Sequence, residues 1–399
     1  MRLKTQPDGD LGVPMGAATS LDANVQTTNA DWVRGGCNWA NSFSLVVPAD
    51  WRSGIYAAQC SDAAGNQFYI VFIVKPIASQ RGKLLALAST NTWNAYNAWG
   101  GFSKYGPATP VVLTFLRPNP ATTPIDDGTI NHLTRADLWI LNWMEDAGYQ
   151  VDVITDTDLH NGFADIANYS ALILNTHPEY WSLEMADNLH EYLDNSGSVL
   201  YLGGNGIFER CIFNADTTAL TFFNGDPSLN RSLAFFRNLN PPRPERAVLG
   251  VAFRFDHSWG APPSWNASPY QVQSADHPLF AGTGLNNNDT IGQTGRQGNN
   301  GGGASGWEMD TSNSGNEPDD GVLVAATVSS DRGVPPANLQ LLARGTNSAS
   351  HAADMTYYET GHGGFVFSVG SICFGGSLVQ DTNLQIIVRN ALDKSMAGR

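Results

Sequence analysis

Residues 171–182 read ALILNTHPEYWS, and the order of residue types in this stretch decides the fold class. The run 171–174 is short and entirely apolar, as expected for a strand buried on both faces of a parallel sheet. Ser182 is placed to cap a helix over residues 183–194. The polar segment 177–180, which reads His-Pro-Glu-Tyr, is therefore predicted to lie at the carboxyl end of a buried strand.

The same alternation of strand and helix extends along the chain on both sides of this stretch. Thr134 and Asp137 are predicted to cap the preceding helix, and Gly148 is predicted to end it. A β-α-β-α-β order predicts an α/β domain with an open parallel sheet and helices on both faces. The other predicted strands are residues 83–88, 150–154, 198–202, 322–326, 339–343, 355–359 and 364–368, and the other predicted helices are residues 134–147 and 383–396.

Residues 1–78 show a different pattern, because short apolar runs follow one another without a helical stretch between them. The predicted strands here are residues 41–48, 54–59 and 66–74. Their spacing predicts a small Ig-like β-sandwich. The α/β domain is predicted to occupy residues 79–399, and its irregular stretch 214–320 is too long for a structureless loop. We expect that stretch to form a lobe packed against the sheet edge.

The composition argues against several classes of partner. The formal net charge of −15 opposes binding to phosphate backbones and anionic lipid, so neither nucleic acid nor a membrane is an expected partner. No apolar run is long enough to span a bilayer and no secretory signal is visible, which predicts a cytoplasmic protein. The four cysteines show no CxxC pairing, which argues against thiolate metal sites. Cys37 and Cys60 are either buried free thiols or a disulfide pair.

Three polar segments, residues 91–105, 176–181 and 203–206, each follow a predicted strand. Because the carboxyl ends of parallel strands meet at one edge of a sheet, we expect these segments to converge there. The aromatic residues of the first segment suit either a plug over the sheet edge or a binding loop. His177 and Glu179 are costly to bury without a role, which favours function. In the alternative, Glu179 only complements the dipole of the following helix.

Five blocks of the sequence resemble, in order and spacing, the large subunit of N,N-dimethylformamidase and its relatives. They are NTWNAYNAWGGFSKY at 91–105, LNTHPEYWS at 174–182, LGGNG at 202–206, GWEMD at 306–310 and YETGHGGFVFSVGSI at 358–372. The stretch DWRSGIYAA at 50–58 is similar too. The resemblance implies a flavodoxin-like, class I glutamine-amidotransferase-like α/β domain that holds a mononuclear Fe(III) ion on two tyrosines and one glutamate.

The resemblance also implies roles for individual residues. His177 is implied as the acid–base residue, and Asn205 and Glu308 are implied as further catalytic residues that line the pocket. The implied iron ligands are Tyr96, Tyr105 and Glu179.

Two of these assignments stay open. Tyr180 is the alternative to Tyr105, because the loop between the two tyrosines is shorter here than in the amidase, although we expect Tyr180 to point the other way. Glu317 is the alternative to Glu308.

The implied activity is iron-dependent hydrolysis of the C–N bond in small N-substituted amides such as N,N-dimethylformamide. Two alternatives remain: a hydrolase of the same fold with another amide or C–N substrate, and a non-catalytic relative that binds a ligand or serves assembly. The expected partner is a small-molecule amide, and a homo-oligomer or a small partner subunit are further options.

The hypothesis assigns proton transfer and oxyanion stabilisation to different residues of the pocket. His177 removes a proton from water and returns one to the leaving amine. Asn205 or a glycine N–H of residues 203–206 stabilises the oxyanion. The apolar walls for small N-alkyl groups are expected from Trp93, Trp99 and Phe102.

Overall fold

The computed structural model describes most of the chain. The predicted strand 322–326 and Glu317 lie outside the described residues. The described residues are 1–4, 11–22, 24–106, 112–125, 132–223, 231–253, 267–296, 302–312, 333–347 and 352–398.

The described residues form short and long elements of both types. The α-helices are α1 (Trp32–Gly35), α2 (Thr90–Ala95), α3 (Thr134–Asp146), α4 (Asp156–His160), α5 (Leu183–Asp194), α6 (Arg246–Leu249), α7 (Phe374–Leu378) and α8 (Thr382–Ala397). The strands of the first half are β1 (Arg2–Leu3), β2 (Gly12–Val13), β3 (Gly54–Ser61), β4 (Gln67–Val74), β5 (Leu84–Ala88), β6 (Val112–Thr114), β7 (Val151–Thr155), β8 (Ala171–Thr176) and β9 (Tyr180–Trp181). The remaining strands are β10 (Ser198–Gly203), β11 (Glu209–Phe213), β12 (Ala219–Phe222), β13 (Ala252–Phe253), β14 (Tyr270–Val272), β15 (Thr290–Ile291), β16 (Asp310–Thr311), β17 (Gln340–Gly345), β18 (Asp354–Glu359) and β19 (Phe365–Ser368).

The largest sheet has nine strands in the order β15-β14-β17-β18-β19-β10-β8-β5-β7. The five strands from β19 to β7 are parallel, whereas the four from β15 to β18 are antiparallel. The prediction of an open parallel sheet is thus right for one half and wrong for the other. The reason is connection length: β18 and β19 are joined by a tight turn in which Thr360 N–H donates to Gly364 O, and a parallel pair needs a much longer crossover.

The parallel half has a flavodoxin-like strand order. Numbered by position in the chain, its strands β5, β7, β8, β10 and β19 lie in the order 2-1-3-4-5. Alternate residues of β5 face opposite sides. Leu84 and Ala86 share a core with α3, α7 and α8, whereas Leu85 and Leu87 share a core with α4 and α5. The predicted helices on both faces are confirmed, and the order reverses between β5 and β8, where ligands of such sheets bind.

The N-terminal region differs from the predicted sandwich. Its described strands form one four-stranded antiparallel sheet in the order β2-β1-β3-β4, and residues 41–48 contain no strand. Val46 in that run is 89% exposed, because an alternating sequence becomes a strand only where another strand pairs with it. The sheet docks on the α/β domain, where Ser53 Oγ accepts a 2.7 Å hydrogen bond from Val153 N–H.

Two cap predictions have opposite outcomes. Ser182 caps α5 as predicted, since its Oγ accepts a hydrogen bond from Met185 N–H at 3.1 Å. The predicted pair at the start of α3 is wrong, because Thr134 is already inside the helix and Leu133 occupies the cap position without a side-chain bond. Asp137 is buried instead, and burial raises the pKa of its carboxyl to about 7, although the nearby polar groups of Thr176 and Trp93 act in the opposite direction.

Three further predictions concern the cysteines, the irregular stretch 214–320 and membrane-spanning helices. All four cysteines are free, and Cys37 is buried whereas Cys60 is exposed, so no disulfide joins them. Strands β14 and β15, from the irregular stretch 214–320, extend the main sheet at its edge, as expected for an edge-packed lobe. Among the described residues, no helix combines the length and apolar character needed to cross a membrane.

Replacing Ser182 with alanine tests the cap of α5. We expect Ser182→Ala to lower the free energy of unfolding by about 1 kcal/mol, because the Met185 N–H loses its acceptor. Urea denaturation measures the change. Ser182→Thr keeps a capping oxygen and should lose much less, so equal losses in the two variants would contradict the assignment.

The buried Asp137 should make stability fall as pH rises. Its pKa is about 7 in the folded chain and about 3.9 in an unfolded chain, so the folded state holds the extra proton between those values. In that window the group lowers the free energy of unfolding by about 1.4 kcal/mol per pH unit. Asp137→Asn should remove this slope in urea denaturation at pH 5 to 7. The exposed Asp146→Asn on the same helix serves as control, and parallel profiles for Asp137→Asn and the parent would refute the assignment.

Candidate metal centre

The candidate site lies at the switch point of the parallel strands. The segment after β5 and the segment after β8 meet there, where Asn91 Nδ2 donates to Tyr180 O at 3.0 Å. The turn after β10 joins them, since Gly204 N–H donates to Thr176 O at 3.0 Å. The predicted convergence of three polar segments is therefore confirmed, and its cause is that all three strands are parallel neighbours.

His177 connects two carboxylates at this edge. Its Nε2 lies 2.7 Å from Glu308 Oε2 and 3.2 Å from Glu179 Oε2. One ligand atom from each of these three residues lies within 4.8 Å of the others, which is the spacing of a metal-binding group. Burial opposes the imidazolium, but the carboxylates Glu308 and Glu179 overcome that effect and raise the pKa of His177 to about 10. Burial would likewise raise the pKa of Glu308, yet the charge of His177 lowers it.

Three tyrosine hydroxyls gather beside Glu179. Tyr105 Oη donates to Glu179 Oε2 at 3.3 Å and also contacts the hydroxyl of Tyr180. The rings of Tyr96 and Tyr105 lie 4.6 Å apart. The expectation that Tyr180 points away is wrong, since the pairing of β9 with β11 turns its side chain into the site. Tyr105 is 41% exposed as a whole residue, while its hydroxyl end is enclosed.

Burial and charge keep these phenols protonated. Burial, followed by the charges of Glu308 and Glu179, raises the pKa of Tyr96 well above its usual value. Burial and then Glu179 have the same effect on the pKa of Tyr105 and of Tyr180. A cation bound among them would therefore displace phenol protons to form strong oxygen donors. Buried phenols grouped with carboxylates are hard oxygen ligands, which fit a hard trivalent ion.

The glycine-rich turn after β10 lies very close to the backbone of Glu308. A side chain at Gly204 would collide with the Glu308 carbonyl oxygen. Three N–H groups of the turn are already used, because Gly206 N–H donates to Tyr201 Oη, Asn205 N–H donates to Asp310 Oδ1 and Gly204 N–H donates to Thr176 O. These three groups are therefore not free to donate to an oxyanion. The side chain of Asn205 is the remaining candidate, and its Nδ2 donates to Glu308 Oε2 at 3.0 Å.

The backbone around the site is strained. Thr176, Asn205, Trp307 and Glu308 all have positive φ values, of 43°, 52°, 47° and 48°. Such conformations are unfavourable for residues with a side chain, and for β-branched Thr176 most of all. Each costs on the order of 1–3 kcal/mol and persists where the surrounding structure enforces it, as at functional sites. Two of these residues are Glu308 itself and Thr176, the neighbour of His177, so the unfavourable conformations flank the short His177–Glu308 contact.

The structure adds residues that the sequence patterns did not single out. His132 packs its ring 4.3 Å from Tyr96 and 4.5 Å from Trp307, so it borders the tyrosine cluster. Lys104 Nζ and Glu209 Oε2 form a 2.7 Å ion pair beneath the tyrosines. Lys104 lies inside the 91–105 segment and its position beside Tyr105 was a usable signal. The sequence contained no comparable signal for His132 or Glu209, because neither residue belongs to a recognisable motif.

The expected apolar walls are not all at the site. Trp99 and Phe102 pack edge-on against Trp32, with ring centroids 4.9 Å and 5.5 Å away. Trp93 belongs to the core shared with the N-terminal sheet, against which Tyr96 also packs. Trp99 and Phe102 thus anchor the loop to α1. Glu317, the alternative to Glu308, lies outside the described residues, whereas Glu308 is in place.

Known proteins similar to this chain agree with the resemblance. The chain is 26% identical over 425 residues to the N,N-dimethylformamidase beta subunit of Paracoccus aminophilus and 25% identical over 423 residues to that of an Alcaligenes species. Each match covers 90% of this chain and 54% of the relative, so the chain spans about half the length of these curated relatives.

A crystal structure of a ThuA-like protein from Parabacteroides merdae aligns with 67% of this chain and 87% of its own, at 14% identity and a TM-score of 0.35. That overlap is too low to support an argument about the fold. A family model matches residues 8–385 of this chain. The family is described as "N,N-dimethylformamidase beta subunit-like, C-terminal". The chain therefore belongs to the N,N-dimethylformamidase beta subunit-like family, of which it contains the C-terminal region.

Proposed function

We propose that this chain is an iron-dependent amidohydrolase that cleaves the C–N bond of small N-substituted amides. The observation that carries the proposal is the enclosed cluster of oxygen donors from Tyr96, Tyr105 and Glu179 beside the His177–Glu308 pair. Such a cluster is costly to bury and serves no packing purpose that apolar side chains would not serve better.

The donor set suits Fe(III). Two phenolates from Tyr96 and Tyr105 with the carboxylate of Glu179 would balance a 3+ charge, which a buried site requires. We place Tyr105 ahead of Tyr180 as the second phenolate, because only the Tyr105 hydroxyl is also bonded to Glu179. When bound, the ion supplies Lewis acidity toward the amide carbonyl.

The protein residues would handle the protons. Glu308 and His177 lie 2.7 Å apart, so a proton taken from the attacking water at one of them can pass to the other. The water oxygen bonds to the carbonyl carbon, the C–N bond breaks, and the pair returns the proton to the leaving amine nitrogen. Asn205 orients Glu308 by donating to its Oε2. The roles of acid and base thus belong to the pair, with His177 as its buried member.

The substrate class and assembly rest on the relatives. Both are named as N,N-dimethylformamidase beta subunits, which supports a small dialkylamide as substrate and association with a second kind of polypeptide. Other amides of similar size are the main alternative. A panel that runs from N,N-dimethylformamide to larger N-substituted amides separates the two by comparing kcat/KM.

The iron assignment predicts a coloured protein. Chain purified after iron-replete expression should contain stoichiometric iron and absorb visible light through charge transfer from tyrosinate to the metal. Elemental analysis and visible spectroscopy are the measurements. Removal of iron by a chelator should remove colour and amide hydrolysis together, and readdition should restore both. A colourless, iron-free protein would refute the assignment.

Substitutions should separate metal binding from proton transfer. Tyr96→Phe and Glu179→Ala should lose both iron and hydrolysis, because each removes a proposed ligand. His177→Ala should keep iron but lower kcat by about 10²–10⁴-fold, since only the proton path is removed. Tyr149→Phe, which removes a hydroxyl bonded to Asp393 at the surface, is the matched control and should keep iron and activity. Full iron in Glu179→Ala would contradict the ligand set.

A further inference from the structure

A buried ion pair lies directly beneath the tyrosine cluster. Lys104 Nζ is 2.7 Å from Glu209 Oε2, and the two side chains are only 3% and 4% exposed. Burying two charges carries a large desolvation cost, and apolar side chains of similar volume often give equal or greater stability. Fold stability alone therefore does not account for this pair, which points to a requirement of the neighbouring site.

The ammonium group is held between two tyrosine rings. Lys104 Nζ lies 4.7 Å from the ring centroid of Tyr180 and 4.9 Å from that of Tyr105. Both distances are within the range of an attractive cation–π contact. The hydroxyls of these same two rings touch each other, and Tyr105 also reaches Glu179. A shift of the ammonium would therefore move both hydroxyls.

The pair also joins two separate parts of the chain. The backbone N–H of Lys104 donates to Ala95 O at the end of α2. Lys104 thus belongs to the tyrosine loop, residues 96–105, which carries the two proposed tyrosine ligands. Glu209 N–H donates to Glu179 O, and Glu209 lies opposite Tyr180 in the pairing of β9 with β11. The ion pair therefore joins the tyrosine loop, through Lys104, to the β9–β11 strand pair, through Glu209. That strand pair lies next to Glu179, the proposed carboxylate ligand.

We propose that the Lys104–Glu209 ion pair is a positioning device that locks the tyrosine loop against the segment that carries Glu179, and so presents the Tyr105 hydroxyl to the metal position. The part of this inference that concerns metal rests on the proposed function, whereas the locking of the loop exists without metal. The pair carries no net charge, so it orients the phenols without disturbing the charge balance of the centre. Lys104 and Glu209 act only by positioning the tyrosines and do not contact the substrate.

The first experiment measures loop position in metal-free protein. In the double variant Lys104→Met/Glu209→Gln, both side chains keep similar volumes and no buried charge is left unpaired. Amide hydrogen exchange in residues 96–105 should accelerate about tenfold or more, as expected for the loss of a charge-assisted hydrogen bond. Exchange in α8 should stay at the parent rate. Glu209→Gln alone is the second variant, because it keeps an acceptor for the ammonium should the double variant fail to fold.

The second experiment loads the same proteins with ferric iron. The double variant should bind Fe(III) about 10- to 100-fold more weakly and show a shifted or weakened tyrosinate band. Lys104→Arg, which keeps the positive charge, should recover most of the affinity. Lys75→Met removes the exposed ion pair with Asp158 and is the matched control, which should match the parent in exchange and in iron binding.

The outcomes separate this inference from the proposed function. Parent-like exchange and a parent-like iron band in the double variant, or in Glu209→Gln if only that variant folds, would overturn the positioning role. Faster loop exchange in a chain whose parent form binds no iron would support the locking and refute the iron centre. Faster exchange together with weaker iron binding and recovery in Lys104→Arg supports both.

Discussion

The short contact between His177 and Glu308 is the interaction on which the site depends. An imidazole and a carboxylate from positions 131 residues apart can meet only if the end of β8 and the segment just before β16 are held face to face. The backbone accepts positive φ at Thr176 and Glu308 to allow it. Because such conformations are unfavourable by themselves, the surrounding core must enforce them, and the missing side chain of Gly204 leaves room for the Glu308 carbonyl.

The sheet explains why several strands contribute to one site. In the order 2-1-3-4-5, β5 and β8 are neighbours, but α3 and α5, which follow them, pack on opposite faces of the sheet and leave a crevice at the carboxyl ends of the two strands. The segment with Tyr96 and Tyr105 enters this crevice from one side, and the segment with Glu179 enters from the other. The antiparallel half of the sheet lies away from the crevice and extends the core, so it bears on stability more than on chemistry.

Local sequence signals predicted the elements that depend on local interactions. The strand 171–176 and helix 183–194 follow from an apolar run and a serine cap, which act within a few residues of each other. Residues 41–48 have the same apolar alternation as a strand but remain exposed, because a strand needs a partner that local sequence does not specify. Asp137 looked like a cap residue, yet packing against the sheet buried it. The family, by contrast, follows from motif order and needed no structure.

The sequence by itself determined that His177 and Glu179 end a buried strand and that the motifs match the N,N-dimethylformamidase beta subunit-like family. Only the tertiary structure decided that Tyr180 turns into the site and that Lys104 pairs with Glu209 beneath it. The physical reason is the range of the interactions. Residue spacing fixes which side chains share a strand end, whereas contacts across 75 or 105 residues arise from strand pairing and core packing.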